Sequence, residues 1–211
     1  MPSHAPKVSA TLTSVIDTNW FGCDCAIVRG LKSRTSVKYN IGHLGVQFAR
    51  HMGFHTVAVG RGREKEKLAK DLGAHVYIDT AVEDAAAVLQ RMGGARAILA
   101  TASSGDARGP LVSGLSPRGK LIVVGVPQDP IQLNAFPLVF GGRSIYGSLT
   151  GTPIDNEDTL AFSVLENIRP MIETVPLEQA ADAYARMMHG KARFRMVLVT
   201  KNGAAQIAPL N

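Results

Sequence analysis

A short run in the first quarter of the chain has the composition of an anion-binding turn. Residues 40–45 read NIGHLG, and apolar residues then recur near helical spacing as far as Met52. Gly42 has no Cβ, so a backbone at this point can pass close to a phosphate. A helix that begins here directs unpaired N–H groups and its positive end at the same place. The pattern predicts anion binding at Ile41, Gly42 and His43; His43 alone gives no catalytic argument.

The second candidate site follows residues 56–59, a short apolar run typical of a buried parallel strand. That run ends at Gly60, and Arg61 comes next. In dinucleotide-binding folds an acidic side chain at this place usually bonds the ribose 2′-hydroxyl. Glycine removes that carboxylate, and arginine supplies a forked, permanent cation. The pattern favours NADP over NAD; the alternative is that Arg61 is a solvated charge on a tight turn.

Strands and helices alternate along most of the chain. The sequence predicts strands over residues 56–59, 76–78, 97–101, 121–126 and 144–149. It predicts helices over residues 43–52, 64–72, 82–92, 107–115 and 157–168, with a turn at 117–119. This alternation indicates βαβ units, and therefore an α/β fold with a doubly wound, Rossmann-like parallel sheet.

The two ends of this pattern are weaker. Residues 35–41 alternate apolar and polar side chains, whereas a central parallel strand is a continuous apolar run. We therefore expect the first strand of the sheet to be incomplete. Near the C-terminus, a strand over 170–175, a helix over 176–188 and a strand over 195–200 predict a small α+β return.

Composition and charge argue against several other classes of protein. The net charge is +6, with 45% hydrophobic and 19% charged residues, which is ordinary for a globular protein. The densest basic group, within residues 61–70, is interrupted by acids, so no basic stripe suits a nucleic-acid groove. The longest apolar run, residues 121–126, is too short to span a bilayer, and the N-terminus does not resemble a signal peptide. We expect a cytoplasmic protein with no nucleic-acid or membrane partner.

Several segments, in order along the chain, resemble one protein family. They are residues 41–49, 70–75, 123–127, 146–148 and 192–195. Together they resemble the zinc-dependent, medium-chain alcohol dehydrogenases over residues 40 to 200. The resemblance implies an enzyme that interconverts alcohols and aldehydes by hydride transfer with NAD(P), while zinc polarises the substrate oxygen. It also implies a homo-oligomer formed through an edge strand, here near residues 143–149.

The resemblance implies further cofactor-binding residues, which would contact the adenosine, the nicotinamide or the pyrophosphate. They are Lys65, Val124, Gly125, Val126, Ser148, Thr150 and Arg195. Lys65 matches a lysine near the adenosine end, and Arg195 matches an arginine that pairs with phosphate oxygens. Lys65 fits a helix-surface lysine equally well, Val124 fits a core position, and Arg195 fits a surface arginine on an edge strand. The implied domains are a catalytic-domain remnant or irregular segment (1–36), a nucleotide-binding domain (37–168) and a catalytic-domain return (169–211).

The chain departs from the family at the turn and at the metal site. Val37 and Tyr39 stand where the family has its first two glycines, and the second of those glycines lets the main chain approach the pyrophosphate. Cys25 matches one zinc ligand, but a catalytic zinc needs three protein ligands, and neither Cys23 nor Cys25 belongs to a Cys-x-x-Cys pair.

We therefore expect an impaired, truncated enzyme that does not bind zinc, in which Cys25 is a plain thiol. Two alternatives stay open. One is a non-catalytic NADP-binding or oligomerisation module. The other is an imperfect gene model or a splice product, suggested by the abrupt loss of family features before residue 40.

Overall fold

The computed structural model describes residues 26–27, 34–35, 42–101, 108–124, 130–148, 151–189, 191–192 and 194–200. It divides the chain into two compact units, Met1–Ile168 and Arg169–Asn211. The predicted domain boundary between residues 36 and 37 lies outside the described residues. The assignment of the segments to nucleotide-binding and catalytic domains stays a prediction.

Nine strands are described. They are β1 (Ala26–Ile27), β2 (Arg34–Thr35), β3 (His55–Gly60), β4 (Val76–Asp79), β5 (Ala95–Ala100), β6 (Leu115–Val123), β7 (Ser144–Gly147), β8 (Ile172–Pro176) and β9 (Arg195–Val199). The described α-helices are α1 (Gly42–His51), α2 (Glu66–Asp71), α3 (Ala85–Arg91), α4 (Ala135–Gly141), α5 (Pro153–Leu165) and α6 (Ala180–Met188). Short 3₁₀ helices cover Arg63–Lys65, Pro110–Gly114 and Leu177–Gln179. Among these helices, none combines the length and the apolar character that crossing a bilayer requires.

The sheet of the first unit runs in the order β4-β3-β1-β5-β6-β7, with β2 also paired to β3. The pairs β3–β4, β5–β6 and β6–β7 are parallel, so the α/β prediction is confirmed. The order matches the doubly wound Rossmann order 3-2-1-4-5-6 when β1 and β2 together take the place of its first strand.

That central place is filled in an unexpected way. β2 is parallel to β3 and pairs opposite His55 and Thr56, whereas β1 is antiparallel to both β3 and β5. Among the described pairs of this sheet, those of β1 are antiparallel, at the place where the first strand was expected to be incomplete. The expected strand over residues 35–41 is described only at Thr35, and the rest lies outside the described residues. No continuous apolar run is present there to form a full central strand.

Helices cover both faces of this sheet. On one face, Val57, Ile98 and Leu121 pack with Leu89 of α3 and with Val112 of the 3₁₀ helix Pro110–Gly114. On the other face, alternate residues of the same strands, such as Ala58 and Leu99, pack with Val46 of α1 and Ala69 of α2. Alternate side chains of a strand point to opposite faces, so strands buried on both sides are continuously apolar.

Several helix ends differ from the predicted ones because capping side chains set them. α3 begins at Ala85 rather than at residue 82, since Asp84 Oδ1 accepts a hydrogen bond from Ala86 N–H at 2.8 Å. α5 begins at Pro153 rather than at residue 157, after a capping box formed by Thr152 and Asp155. α4 was not predicted; it begins after Asn134, whose side chain accepts from the N–H of residue 136.

The region before the strongest strand also differs from prediction. Residues 110–114 form a 3₁₀ helix instead of the end of an α-helix, and β6 already begins at Leu115. Ala95 pairs with Leu115 and Ala97 with Lys120, so the predicted turn at 117–119 is an irregularity inside the strand. Arg118 has a φ of +59° there, which is a left-handed conformation.

The second unit contains β8, α6 and β9, as the predicted α+β return requires. β8 and β9 pair in parallel, with Ile172 opposite Arg195 and Pro176 opposite Val199. The predicted helix over 176–188 is divided into a 3₁₀ turn and α6. An ion pair between Arg186 of α6 and Glu173 of β8 joins the helix to the strand pair.

Candidate functional site

The start of α1 lies at the carboxyl edge of the sheet. Only residues 52–54 separate the end of α1 from the start of β3, so the helix runs back against the strands and its first residue is at their far end. Gly42 and His43, the first two residues of α1, are buried. The helix therefore directs its first N–H groups to the edge where ligands of open α/β sheets bind. Ile41 lies outside the described residues.

His43 is a buried helical residue. Its exposed fraction is 2%, and its backbone carbonyl accepts a hydrogen bond from Gln47 Nε2 at 3.1 Å. Val46, which lies one turn farther along, packs on the sheet. Whether His43 has a catalytic role stays a prediction from the sequence.

The carboxyl end of β3 carries a tightly bonded turn. The Gly60 carbonyl oxygen accepts a hydrogen bond from Thr80 N–H at 2.7 Å. Gly62, with a φ of +98°, donates its N–H to Asp79 Oδ1 at 2.7 Å and accepts at its carbonyl oxygen from Tyr77 Oη at 2.8 Å. The end of β4 therefore holds the Gly60–Arg63 turn by both its donors and its acceptors.

The carboxylate at the end of β4 serves this turn. Asp79 Oδ1 accepts from Ala81 N–H at 2.9 Å as well as from Gly62 N–H. These two backbone hydrogen bonds, that of Ala81 first, lower the pKa of the Asp79 carboxyl below its ordinary value. Asp79 is therefore a charged acceptor at neutral pH whose Oδ1 holds two backbone donors.

Arg61 projects from the turn, and its side chain is exposed. Lys65 Nζ donates a hydrogen bond to the Arg61 carbonyl oxygen at 2.6 Å and lies 3.7 Å from Glu64 Oε1. Arg63 extends into solvent, 3.8 Å from Glu66 Oε2. The structure thus brings the predicted residues Arg61 and Lys65 together at the end of β3, where the exposed Arg61 guanidinium is a group suited to a phosphate.

Two further predicted residues follow neighbouring strand ends. Val124 N–H donates to the Ala100 carbonyl oxygen at 3.1 Å, beyond the end of β6, and Ser148 N–H donates to the Val123 carbonyl oxygen at 2.9 Å, beyond the end of β7. Val124 also packs beside the apolar cluster under α1. Both residues therefore lie at the same edge of the sheet as the start of α1. Gly125, Val126 and Thr150 lie outside the described residues.

Arg195 is the first residue of β9 in the second unit and is half-buried. Its proposed contact with a pyrophosphate stays a prediction. Cys25 lies outside the described residues, as do Val37 and Tyr39. Among the residues that the structure describes, no group of three or more His, Cys, Asp or Glu side chains is placed to hold a metal ion. The donor set of the described residues does not fit a catalytic zinc.

Tyr77 and Asp79 are the site residues that the sequence did not reveal. Their role depends on the register of β3 against β4, in which Ala58 pairs with Tyr77 and Gly60 with Asp79. The only signal in the sequence was Gly60 itself, at a place where the fold usually has an acid. The residues next to Gly60 in the sequence do not indicate which side chain fills the space beside this glycine.

Residues 40–165 match the family model described as zinc-binding dehydrogenase. The chain is 39% identical to an alcohol dehydrogenase, notN, of an Aspergillus species over 199 residues, which cover 93% of this chain and 56% of that protein. It is 41% identical to the alcohol dehydrogenase patD of Penicillium expansum over 75% of this chain and 46% of that protein. The chain thus spans about half the length of these curated relatives.

Solved structures of dehydrogenases share the fold. An alcohol dehydrogenase zinc-binding domain protein from Burkholderia ambifaria superposes with a TM-score of 0.72 at 22% identity, over 94% of this chain and 57% of that one. A cinnamyl alcohol dehydrogenase from Sorghum bicolor gives a TM-score of 0.66 at 28% identity, over 75% and 44%. The names of these relatives do not favour the alternative of a non-catalytic module. The resemblance seen in the sequence is confirmed, and the chain belongs to the zinc-binding dehydrogenase family.

Proposed function

We propose that this chain supplies the NAD(P)-binding part of an alcohol dehydrogenase that interconverts alcohols and aldehydes by hydride transfer. The observation that carries the proposal is the common edge shared by the start of α1, the Gly60–Arg63 turn and the residues after β6 and β7. An extended dinucleotide needs donors for its pyrophosphate and polar groups for its adenosine ribose at this edge. A cytoplasmic location is part of the proposal.

NADP is the favoured cofactor. The strand end beside the turn carries Asp79, whose Oδ1 accepts two backbone N–H groups and so serves to hold the turn. Position 60 itself, where an acid would bond the ribose 2′-hydroxyl, is a glycine. Arg61 is exposed beside Lys65 Nζ. A guanidinium pairs well with phosphate oxygens, since two N–H donors can bond at once.

When bound in a dehydrogenase, zinc polarises the alcohol oxygen and the nicotinamide exchanges the hydride. This chain's own described residues are suited to a different part of the task. α1 and the ends of β6 and β7 position the dinucleotide, and Arg61 and Lys65 select its adenosine end. For the 211 residues alone we expect dinucleotide binding with little or no alcohol turnover, because the sequence contains only two cysteines and no Cys-x-x-Cys cluster.

The test is a titration of the purified 211-residue chain with NADPH and with NADH, followed by fluorescence of the reduced nicotinamide. We expect saturable binding of both, with NADPH binding more tightly. Alcohol-dependent NADP reduction is then measured with and without added zinc. Absence of any saturable binding would contradict the proposal, and equal affinity for the two cofactors would contradict the preference for NADP. Robust zinc-dependent turnover would contradict the expected impairment.

We also propose that copies of the chain associate through the strand near residues 143–149. Among the described strands, β7 has β6 as its one neighbour, so its outer edge carries unpaired backbone groups. Tyr146 on β7 is 60% exposed. On the preceding helix α4, Phe136 and Phe140 stack at a centroid distance of 4.2 Å and are 63% and 77% exposed.

Light scattering coupled to size-exclusion chromatography tests this association. We expect a dimer that dissociates when Tyr146→Lys places a charge on the exposed edge. Val82→Lys, at a residue that is 77% exposed elsewhere on the surface, serves as the control and should leave the mass unchanged. A monomeric parent chain would contradict the proposed association.

A further inference from the structure

Tyr77 occupies the space that a side chain at position 60 would need. An ideal Cβ built on Gly60 overlaps the Tyr77 hydroxyl oxygen and lies 2.9 Å from ring carbons Cε2 and Cζ. Carbon atoms without a bond between them pack about 3.5–4 Å apart. Any residue larger than glycine at position 60 therefore requires the whole Tyr77 ring to move, and rotation of the hydroxyl hydrogen does not relieve the overlap.

The same phenol fixes the turn that carries Arg61. Tyr77 Oη donates to the Gly62 carbonyl oxygen at 2.8 Å, while Asp79 holds the Gly62 N–H. The ring packs beside Ala58 and Ala74 on the face of the sheet covered by α1 and α2. An aliphatic residue could supply that packing, but only the hydroxyl reaches Gly62.

We propose that Tyr77 is a specificity-determining residue of the dinucleotide site. Its ring excludes a carboxylate from position 60, where an acid would bond a ribose 2′-hydroxyl, and its hydroxyl holds the Gly60–Arg63 turn so that Arg61 is presented instead. Position 60 and position 77 therefore act as a pair. This inference rests on the proposed function, since it concerns the choice between the two forms of the cofactor at the same site.

If positions 60 and 77 act together, a double variant should gain NADH affinity relative to NADPH in a way that neither single substitution does. Gly60→Asp alone places the acid against the Tyr77 ring, so we expect weaker binding of both cofactors and no gain for NADH. Gly60→Asp combined with Tyr77→Val gives the carboxylate room. We expect the NADH-to-NADPH affinity ratio of this double variant to be at least about tenfold higher than that of Gly60→Asp alone. Tyr77→Val alone is the control and should not raise the ratio by this amount.

A second measurement does not depend on cofactor binding or on the larger substitutions. Tyr77→Phe keeps the ring and removes the hydrogen bond to Gly62. We expect trypsin to cleave after Arg61 and Arg63 several times faster in this variant, whereas cleavage after Arg91 at the end of α3 keeps its rate. Mass spectrometry of the early peptides gives both rates.

The outcomes separate the inference from the proposed function. If the parent chain binds NADPH but Gly60→Asp alone shifts the ratio as far as the double variant does, the inference is overturned and the proposed function is not. An unchanged cleavage rate in Tyr77→Phe also overturns the inference, whether or not a cofactor binds. If the parent chain binds neither cofactor, the proposed function fails, and the specificity role fails with it.

Discussion

Asp79 and Gly62 are joined by a hydrogen bond of 2.7 Å between the Asp79 carboxylate and the Gly62 backbone N–H. The two residues are 17 positions apart; Asp79 ends β4, and Gly62 lies in the turn that follows the neighbouring strand β3. The bond ties the turn after β3 to the end of β4, so the position of Arg61 depends on a residue outside the turn.

Removal of the Asp79 carboxylate is predicted to loosen the turn. Asp79→Ala leaves the N–H groups of Gly62 and Ala81 without this acceptor, so Arg61 is held less firmly. We expect NADPH affinity to fall several-fold and trypsin to cleave faster after Arg61. Asp79→Asn, which keeps an oxygen acceptor, should recover part of the affinity. Equal affinities for the parent chain and Asp79→Ala would show that this carboxylate does not support the site.

Arg61 is predicted to discriminate between the two cofactors. Charge-assisted hydrogen bonds contribute about 1.5–3 kcal/mol, so Arg61→Ala should weaken NADPH binding by about 10- to 100-fold. NADH affinity should stay within about twofold, because NADH has no 2′-phosphate. Arg63→Ala is the matched control, since Arg63 is an exposed arginine two residues away. The role assigned to Arg61 fails if both variants lower NADPH affinity equally, or if NADH binding falls with it.

The pH dependence of stability is predicted from His75. Its ring stacks on His55 with a centroid distance of 4.6 Å, and its Nδ1 accepts a hydrogen bond from Thr56 N–H at 2.9 Å. Partial burial lowers the pKa of His75, and the charge of Arg50 lowers it further.

Because the pKa of His75 is lower in the folded state, we expect the folded state to lose stability as the pH falls. The unfolded chain takes up the proton at a pH near the ordinary histidine pKa of about 6.5, above the pKa of the folded state. Stability is thus fully present above this pH and is lost as the pH falls toward the folded pKa. Denaturant unfolding between pH 7.5 and 5.5 measures the loss, and His75→Asn should reduce its slope. A slope that is unchanged in His75→Asn would assign the loss to other groups.

Two glycines with similar backbone conformations are predicted to differ in their tolerance of alanine. Gly53 has a φ of +81° and no heavy atom within 4 Å of an ideal Cβ. Gly94 has a φ of +75°, and its Cβ would lie 2.7 Å from backbone atoms of Ser116. Gly53→Ala should cost about 1–2 kcal/mol of unfolding free energy from backbone strain alone.

Gly94→Ala adds an overlap with backbone that cannot turn away, so its cost should be about 2–5 kcal/mol. Equilibrium denaturation of both variants measures the difference. Equal costs would mean that the loop at Gly94 moves away from Ser116 without penalty.

The elements of the fold were largely predictable because their signals are local. β3 and β5 are short apolar runs, and α1 has apolar residues near helical spacing. The starts of α3 and α5 differ from the predicted ones because they are set by a few capping side chains: Asp84 for α3, and the Thr152–Asp155 capping box for α5. α4 was missed, and most of its apolar side chains are exposed, so it shows no clear buried stripe.

The candidate site was predictable only in part. Arg61 follows from glycine at the end of an apolar strand, which is a local pattern. Tyr77 and Asp79 reach the turn through the pairing of β3 with β4, and a single sequence does not give the register of two strands. The filling of the central place by β1 in an antiparallel direction was likewise not encoded in any local periodicity.

The central claim is that a dinucleotide binds at the carboxyl edge of this sheet, with its pyrophosphate at the start of α1 and its 2′-phosphate at Arg61. A crystal structure of the chain with NADPH measures this most directly. We predict phosphate oxygens within hydrogen-bond distance of the backbone N–H groups of Gly42 and His43, and the 2′-phosphate within reach of the Arg61 guanidinium. An NADPH molecule bound away from the start of α1, or a 2′-phosphate directed away from Arg61, would contradict the account.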